Sequence, residues 1–175
     1  MSLNHREIDL IVEELNIEGC FIQKIIQSSW DVLCLCLYGK GGATELLICL
    51  TASAVRLHRT KRAIPKSEKP LRFCEFLRSR IKGGMIQEVQ QLGSDRIVRF
   101  TISRGDFRYY LYARLWSNAA NIILTDTEGL ILDALRRSPR RGEISGGSYR
   151  PEESIGLPAK SKREFAIREL PGEGS

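Results

Sequence analysis

Residues 70–100, PLRFCEFLRSRIKGGMIQEVQQLGSDRIVRF, decide how the chain is read. Phe73, Phe76, Leu77 and Ile81 recur at helical spacing and predict one buried stripe, with Arg72, Arg78, Arg80 and Lys82 largely outside it. Pro70 suits a first helical turn, where its missing N–H costs nothing, and Gly83 and Gly84 can take the left-handed conformation that closes a helix. Beyond them, Met85, Ile86 and Val89, then Ile97, Val98 and Phe100, alternate with polar residues as strands do, around a tight turn at Gly93-Ser94-Asp95-Arg96. The Asp95-Arg96 pair is out of place, because two charges open a strand where ordinary turn residues would have sufficed.

Outward from this helix and hairpin the pattern repeats. Residues 1–19 read as a helix, with Asn4 as cap, Glu7 three residues on as in a capping box, and Ile8, Ile11, Val12 and Leu15 as the buried stripe. Asp9 lies off that stripe and is either a plain surface acid or part of a polar site facing a groove. Residues 20–27 and 30–38 predict a hairpin around Ser28-Ser29, and LCLCLY is apolar enough to be buried on both faces. Residues 39–42, Gly-Lys-Gly-Gly, make the next turn; they lack the spacing and the following helix of a phosphate-binding loop. Strands follow at 44–52 and 54–59, the latter with Val55 and Leu57 inward and Arg56 and His58 outward. A Pro- and Lys-rich loop over 60–69 leads into the helix already described, and loops of that length are often functional. After the hairpin comes a meander at 107–115, 120–124 and 130–135, with a turn at 126–129 that places Gly129 for positive φ. Two main helices and eight or nine antiparallel strands without a βαβ series predict an α+β fold with sandwich-like sheets. Residues 1–140 form the expected domain; 141–175, rich in Arg, Gly, Ser, Pro and Glu, read as an irregular tail and the truncated start of a further region.

Composition narrows the function classes. The 175 residues carry a net charge of +6, unevenly placed. Over residues 56–82 ten basic side chains meet only Glu68 and Glu75, and Arg56, Arg59, Lys61, Arg62, Arg72, Arg78 and Arg80 form a candidate nucleic-acid patch. A second cluster comprises Arg136, Arg137, Arg140 and Arg141. The bland alternative for such runs is a solvated face. No apolar run reaches membrane-spanning length and no secretory signal is written at the N-terminus, so a cytoplasmic protein with no membrane partner is expected. Cys20, Cys34, Cys36, Cys49 and Cys74 are odd in number and lie mostly in apolar runs without a CxxC pair, which predicts reduced core thiols and no metal site. With only His5 and His58, a Ser-His-Asp or Cys-His centre is poorly supplied.

Several ordered blocks carry a resemblance. Pro65, Pro70, Phe73, Cys74, Leu77, Arg78, Ile81, Gly83, Gly84, Ile86, Gln90, Asp95, Arg96, Ile97 and Phe100 match a P..P..FC..LR..I.GG.I..I.Q...DRI..F pattern. Residues 111–137, LYARLWSNAANIILTDTEGLILDALRR, match a second block, and IVEELN and TASAVRLHRT add to it. Over roughly the first 150 residues the chain resembles the N-terminal domain of the NFACT family, whose bacterial members are called RqcH or fibronectin-binding protein A. That domain is similar in fold to the N-terminal domain of formamidopyrimidine-DNA glycosylase. Those glycosylases use an N-terminal proline amine with an adjacent glutamate, and the opening Met1-Ser2-Leu3 supplies neither.

The resemblance implies a ribosome-associated quality-control factor that binds the large ribosomal subunit and tRNA and supports C-terminal alanine tailing of stalled chains. The peptidyl transfer would belong to the ribosome, so no enzyme activity and no cofactor are implied. It gives Asp95 and Arg96 a tRNA-contacting role and makes Asp9 a second candidate. A planar guanidinium suits phosphate, and a neighbouring carboxylate can orient it or reach a ribose hydroxyl. Residues 117–121, SNAAN, depart from the family's S-N-I-I entry; Asn118 is expected in a turn and Asn121 at a strand entry, with Trp116 either packed beneath or offering a stacking face. The rival implication is a surface adhesin for fibronectin or fibrinogen, set against the missing secretion signal and the free cysteines.

Overall fold

The computed structural model describes residues 4–51, 55–60, 71–116 and 119–151. Helix α1 (His5–Leu15) starts as expected: the Glu7 amide donates to Asn4 Oδ1 at 2.8 Å, and the Asn4 amide donates to Glu7 Oε1 at 2.9 Å. It ends at Leu15 rather than at Gly19, because Asn16 adopts a left-handed conformation (φ 50°) and closes it. Arg59 reinforces that end by donating from Nη1 to the Leu15 carbonyl at 3.0 Å.

Among the described residues nine strands are hydrogen-bonded in series, all antiparallel: β1 (Phe21–Ser29), β2 (Val32–Gly39), β3 (Gly42–Cys49), β4 (Arg56–Thr60), β5 (Met85–Gln91), β6 (Ile97–Arg104), β7 (Phe107–Arg114), β8 (Asn121–Asp126) and β9 (Ile131–Ala134). Their order is β4-β3-β2-β1-β5-β6-β7-β8-β9, which makes the α+β fold an open antiparallel sheet with two helices. The first hairpin turns at Trp30-Asp31, two residues later than the Ser28-Ser29 signal suggests. Val55 and Leu57 are buried as expected. The loop expected at 60–69 lies outside the described residues from 61 onward, and so does Pro70.

Helix α2 (Arg72–Ile81) buries Phe73, Cys74, Leu77 and Ile81. Its first residue follows Leu71, which offers no cap; Gln27, buried on β1, replaces one by accepting from the Cys74 amide at 3.1 Å. Both helices and both halves of the sheet feed one core: Ile8 and Leu15 from α1, Phe73 and Leu77 from α2, Ile25, Leu35 and Ile48 from one half, Phe100, Leu111 and Leu124 from the other. The halves meet where Phe21 pairs with Met85; there the Ile22 amide donates to the Gly84 carbonyl at 2.8 Å, the Gly83 amide to the Ile22 carbonyl at 2.7 Å and the Ile86 amide to the Cys20 carbonyl at 2.9 Å.

The second half carries another apolar cluster on its opposite face: Leu92, Ile97, Tyr112, Ile123, Ile131 and Ala134. Residues 139–151 pack on it. A 3-10 turn (Pro139–Arg141), bridges between Ser138 and Glu143 and between Leu130 and Ser148, and an edge-on contact of Tyr149 with Tyr112 at 5.0 Å hold this segment down. This segment covers an outer face of β6 to β9 that is apolar and would otherwise meet water. No helix among the described residues is long and apolar enough to cross a membrane.

The paired glycines divide their roles. Gly83 has φ +87°, whereas Gly84 is buried against the sheet junction, and a Cβ there would stand 3.0 Å from the Ile81 and Ser103 carbonyl oxygens. Gly84→Ala is therefore expected to cost about 1–3 kcal/mol by overpacking, measured as a lower urea midpoint with unchanged slope. A neutral result would show that the junction is loose enough to open.

Candidate functional site

The turn between β5 and β6 is pinned from every side. Leu92 and Ile97, both buried, anchor its two ends, and the Leu92 amide donates to the Ile97 carbonyl at 2.8 Å. The Asp95 carbonyl accepts from the Trp116 indole Nε1–H at 2.6 Å, and the Arg96 carbonyl accepts from the Leu115 amide at 2.9 Å. Arg96 sits at φ +59°, in the left-handed region, which an arginine occupies at a cost of roughly 1–2 kcal/mol. Both side chains are partly exposed, and neither makes a hydrogen bond or ion pair with the described residues. A strained, fixed backbone thus presents a carboxylate and a guanidinium side by side, both unpaired among the described residues.

Trp116 is both packed and polar: its ring lies under the Arg114 guanidinium at 4.9 Å while its N–H fixes Asp95. Arg114 is almost fully buried (4% exposed) and forms a two-pronged pair with Glu143 (8%), Nη1 to Oε2 at 2.8 Å and Nη2 to Oε1 at 2.9 Å. Its Nε donates to the Ala119 carbonyl at 2.7 Å. Asn121, at the entry of β8 as expected, donates from Nδ2 to Glu143 Oε1 and to the Arg136 carbonyl, and its Oδ1 accepts from the Arg136 amide at 2.9 Å. Burial pushes the Glu143 carboxyl up, but the hydrogen bonds from Arg114 and Asn121 and the charges of Arg114 and Arg141 outweigh it and hold it below its ordinary value. Sequence periodicity gives no sign of this network, whose ion pair joins residues far apart in the chain.

Asp9 is linked to the end of β5 that leads into the turn. Gln91, the residue before Leu92, donates from Nε2 to Asp9 Oδ1 and, at 2.8 Å, to the His5 carbonyl, so α1 is tied to the β5 end of the turn. Asn118 lies outside the described residues.

The described members of the candidate basic patch lie on β4 and α2 and have structural partners. Arg59 also donates to Thr44 Oγ1 at 3.2 Å, besides capping α1. Arg72 clamps α2 to β9, donating to buried Asp133 and to the Ala134 and Leu135 carbonyls at 3.0 and 3.2 Å. Arg78 pairs with Glu75 at 2.6 Å and reaches the Ile25 carbonyl at 3.3 Å. Arg80 lies over the Phe76 ring at 5.1 Å, and Arg56 donates to His58 Nε2 at 3.3 Å. Lys61 and Arg62 lie outside the described residues. The charge run of the sequence is thus in good part the means by which the helices are fastened to the sheet.

Two outcomes follow. Glu143→Gln leaves a buried guanidinium without its counter-charge and is expected to cost about 3–5 kcal/mol at neutral pH. Because the folded carboxyl is held below its unfolded value, its contribution is complete above the ordinary glutamate range and is lost as pH falls through the lowered value. Urea midpoints at neutral and acid pH should show that acid loss in the wild type and a flatter dependence in the variant; an equal acid slope in both assigns the loss elsewhere. Arg96→Gly relieves the left-handed strain and should keep or raise stability by up to about 1 kcal/mol, read as an unchanged or higher Tm, whereas a clear fall means the side chain packs structurally.

Residues 7–151 match the family model described as NFACT N-terminal and middle domains. The chain is 36% identical over 175 aligned residues to the Rqc2 homolog RqcH of Bacillus subtilis, covering 91% of this chain and 31% of that protein. It is 40% identical over 95 residues to the ribosome quality control complex subunit NEMF homolog of Drosophila melanogaster, covering 54% of this chain and 10% of that protein. Among solved structures, the N-terminal part of the fibronectin/fibrinogen-binding protein of Streptococcus suis superposes with a TM-score of 0.79 at 27% identity, over 85% of this chain and 60% of that one. The N-terminal domain of the fibronectin-binding protein PavA of Streptococcus pneumoniae gives 0.78 at 25% identity, over 95% and 65%. The chain spans about a third of the bacterial relative and a tenth of the fly one. With a match that takes in all nine strands, both helices and the packed segment beyond β9, the chain belongs to the NFACT family.

Proposed function

We propose that this chain is the RNA-positioning module of a ribosome-associated quality-control factor, and that its Asp95-Arg96 turn contacts tRNA. The observation that carries this reading is the turn itself: an arginine kept in a strained conformation, beside an aspartate, with both charged groups unpaired among the described residues. Backbone strain that the surroundings over-determine is a mark of function, since folding alone would favour glycine there. The relatives named as ribosome quality-control factors support the ribosomal setting. In this reading Arg96 forks onto a phosphate, Asp95 orients it or takes a ribose hydroxyl, and Asp9 borders the contact from α1. The partners are tRNA and the large ribosomal subunit, the setting is cytoplasmic, and the protein supports alanine tailing of stalled chains by placing RNA while the ribosome makes the peptide bonds.

The names of the solved neighbours favour a second reading, an adhesin for fibronectin or fibrinogen. The two separate on one experiment. Binding of unfractionated tRNA, measured at two salt concentrations, should weaken with salt and should fall by about tenfold in Asp95→Ala and in Arg96→Ala, the scale of one charge-assisted contact. Tight, salt-sensitive binding that ignores both substitutions would remove the turn as the contact. Fibronectin binding that survives both, with no tRNA binding, would favour the adhesin.

A further inference from the structure

Trp30 lies outside the hydrophobic clusters of the fold. It occupies the two-residue turn between β1 and β2, a position that favours small polar residues, and it leaves 62% of its surface in solvent. The turn is nevertheless rigidly held. Asp31 accepts from Ser29 Oγ at 2.7 Å and from Thr51 Oγ1 at 3.0 Å, and its carbonyl accepts from the Leu50 amide at 2.8 Å. The ring itself is backed by the Arg136 guanidinium, 4.7 Å from its centroid. Arg136 is fixed in turn, donating from Nη1 to the Ala120 carbonyl at 3.0 Å and from Nη2 to the Leu50 carbonyl at 3.3 Å. An indole with a cation against one face and most of its surface in solvent is suited to stack on another ring.

Three further arginines follow Arg136 closely in the chain, and two of the acids of this segment are already paired with cations. Arg137, Arg140 and Arg141 are exposed. Asp133, 3% exposed, is shared between Arg72 and Arg137, the latter 3.3 Å away and itself 52% exposed. Glu143 is buried on Arg114, and Asp31 is engaged by the two hydroxyls. This end of the sheet is also the end that bears the Asp95-Arg96 turn: Ile97 pairs with Arg114, Arg114 with Asn121, and the Leu135 amide donates to the Ile122 carbonyl. Three strand spacings separate the start of β6 from the end of β9, on the order of 15 Å.

We infer that Trp30, backed by Arg136, is a stacking platform for an unpaired base of RNA, with Arg137, Arg140 and Arg141 taking the flanking phosphates. The inference rests on the reading of this chain as an RNA-positioning module and gives it a second contact, separate from the Asp95-Arg96 turn. Base stacking needs only a rigid exposed ring and nearby cations, so the contact tolerates any sequence and prefers single-stranded nucleotides. The same end of the fold then holds an RNA at two points, one reading backbone and ribose, the other a base.

The test uses the whole chain and three probes: a short labelled oligouridylate, unfractionated tRNA, and heparin, a polyanion without bases. Trp30→Ala should weaken the oligouridylate roughly tenfold, the scale of one lost stack, while Trp30→Phe retains most of the affinity and heparin binding is unchanged. Arg137→Gln should lower the slope of log affinity against log salt by about one. An unchanged affinity in Trp30→Ala, or an equal loss for heparin, overturns the platform and leaves the Asp95-Arg96 reading standing. A loss in Trp30→Ala with none in Asp95→Ala or Arg96→Ala supports the platform and overturns that reading. Failure of the wild-type chain to bind either RNA overturns both. Thermal unfolding of Trp30→Ala at the wild-type Tm shows that the loss is one of contact and not of fold.

Discussion

The buried pair between Arg114 and Glu143 is the constraint on which the rest of this structure depends. Two charges taken out of water are tolerable only with near-ideal geometry and with their remaining hydrogen-bonding groups satisfied. Both conditions hold here: the pair is two-pronged, Arg114 Nε has the Ala119 carbonyl, and Asn121 serves Glu143 as well as the backbone at Arg136. The pair fastens the segment after β9 over the outer cluster of the second half-sheet. It also fixes the guanidinium on which Trp116 lies, and through the indole N–H it reaches the Asp95 carbonyl. A polar network in a dry setting specifies one arrangement, and the arrangement it specifies is that of the Asp95-Arg96 turn.

This gives the molecule a division of labour among its arginines. Arg59, Arg72 and Arg78 spend their hydrogen bonds on backbone carbonyls and carboxylates, closing α1, tying α2 to β9 and joining α2 to β1. Arg114 and Arg136 hold the end of the sheet together from within. Arg96 is different, since its backbone is constrained while its side chain is left without a partner among the described residues.

Local features of the fold were legible in the sequence because they depend on neighbours a few residues apart. The Asn4-Glu7 capping box, the buried stripe of α2, the Gly39-to-Gly42 turn and the alternation in β6 all belong to this class. The oddity of two charges at the start of β6 was legible too, although the left-handed backbone of Arg96 was not. What periodicity could not carry were the long-range partners: Gln27 capping α2, Arg59 capping α1, Arg72 on Asp133, and Glu143 reaching back to Arg114. Residues 141–151 show no periodicity of their own, and the bridges and the Tyr149 contact that hold them against the apolar outer face of the sheet join partners that no local pattern marks. Trp116 was left between packing and display by the sequence, and the structure gives it packing with a polar tip.

An RNA contact at the Asp95-Arg96 turn, whose shape the Arg114–Glu143 network sets from below, can be followed by NMR through amide and indole N–H resonances during addition of tRNA. Such a contact gives saturable shifts at Gly93, Ser94 and Arg96 and at the Trp116 indole N–H, the donor that holds the turn. Shifts confined to β4 and the exposed face of α2, with the turn silent, would contradict it.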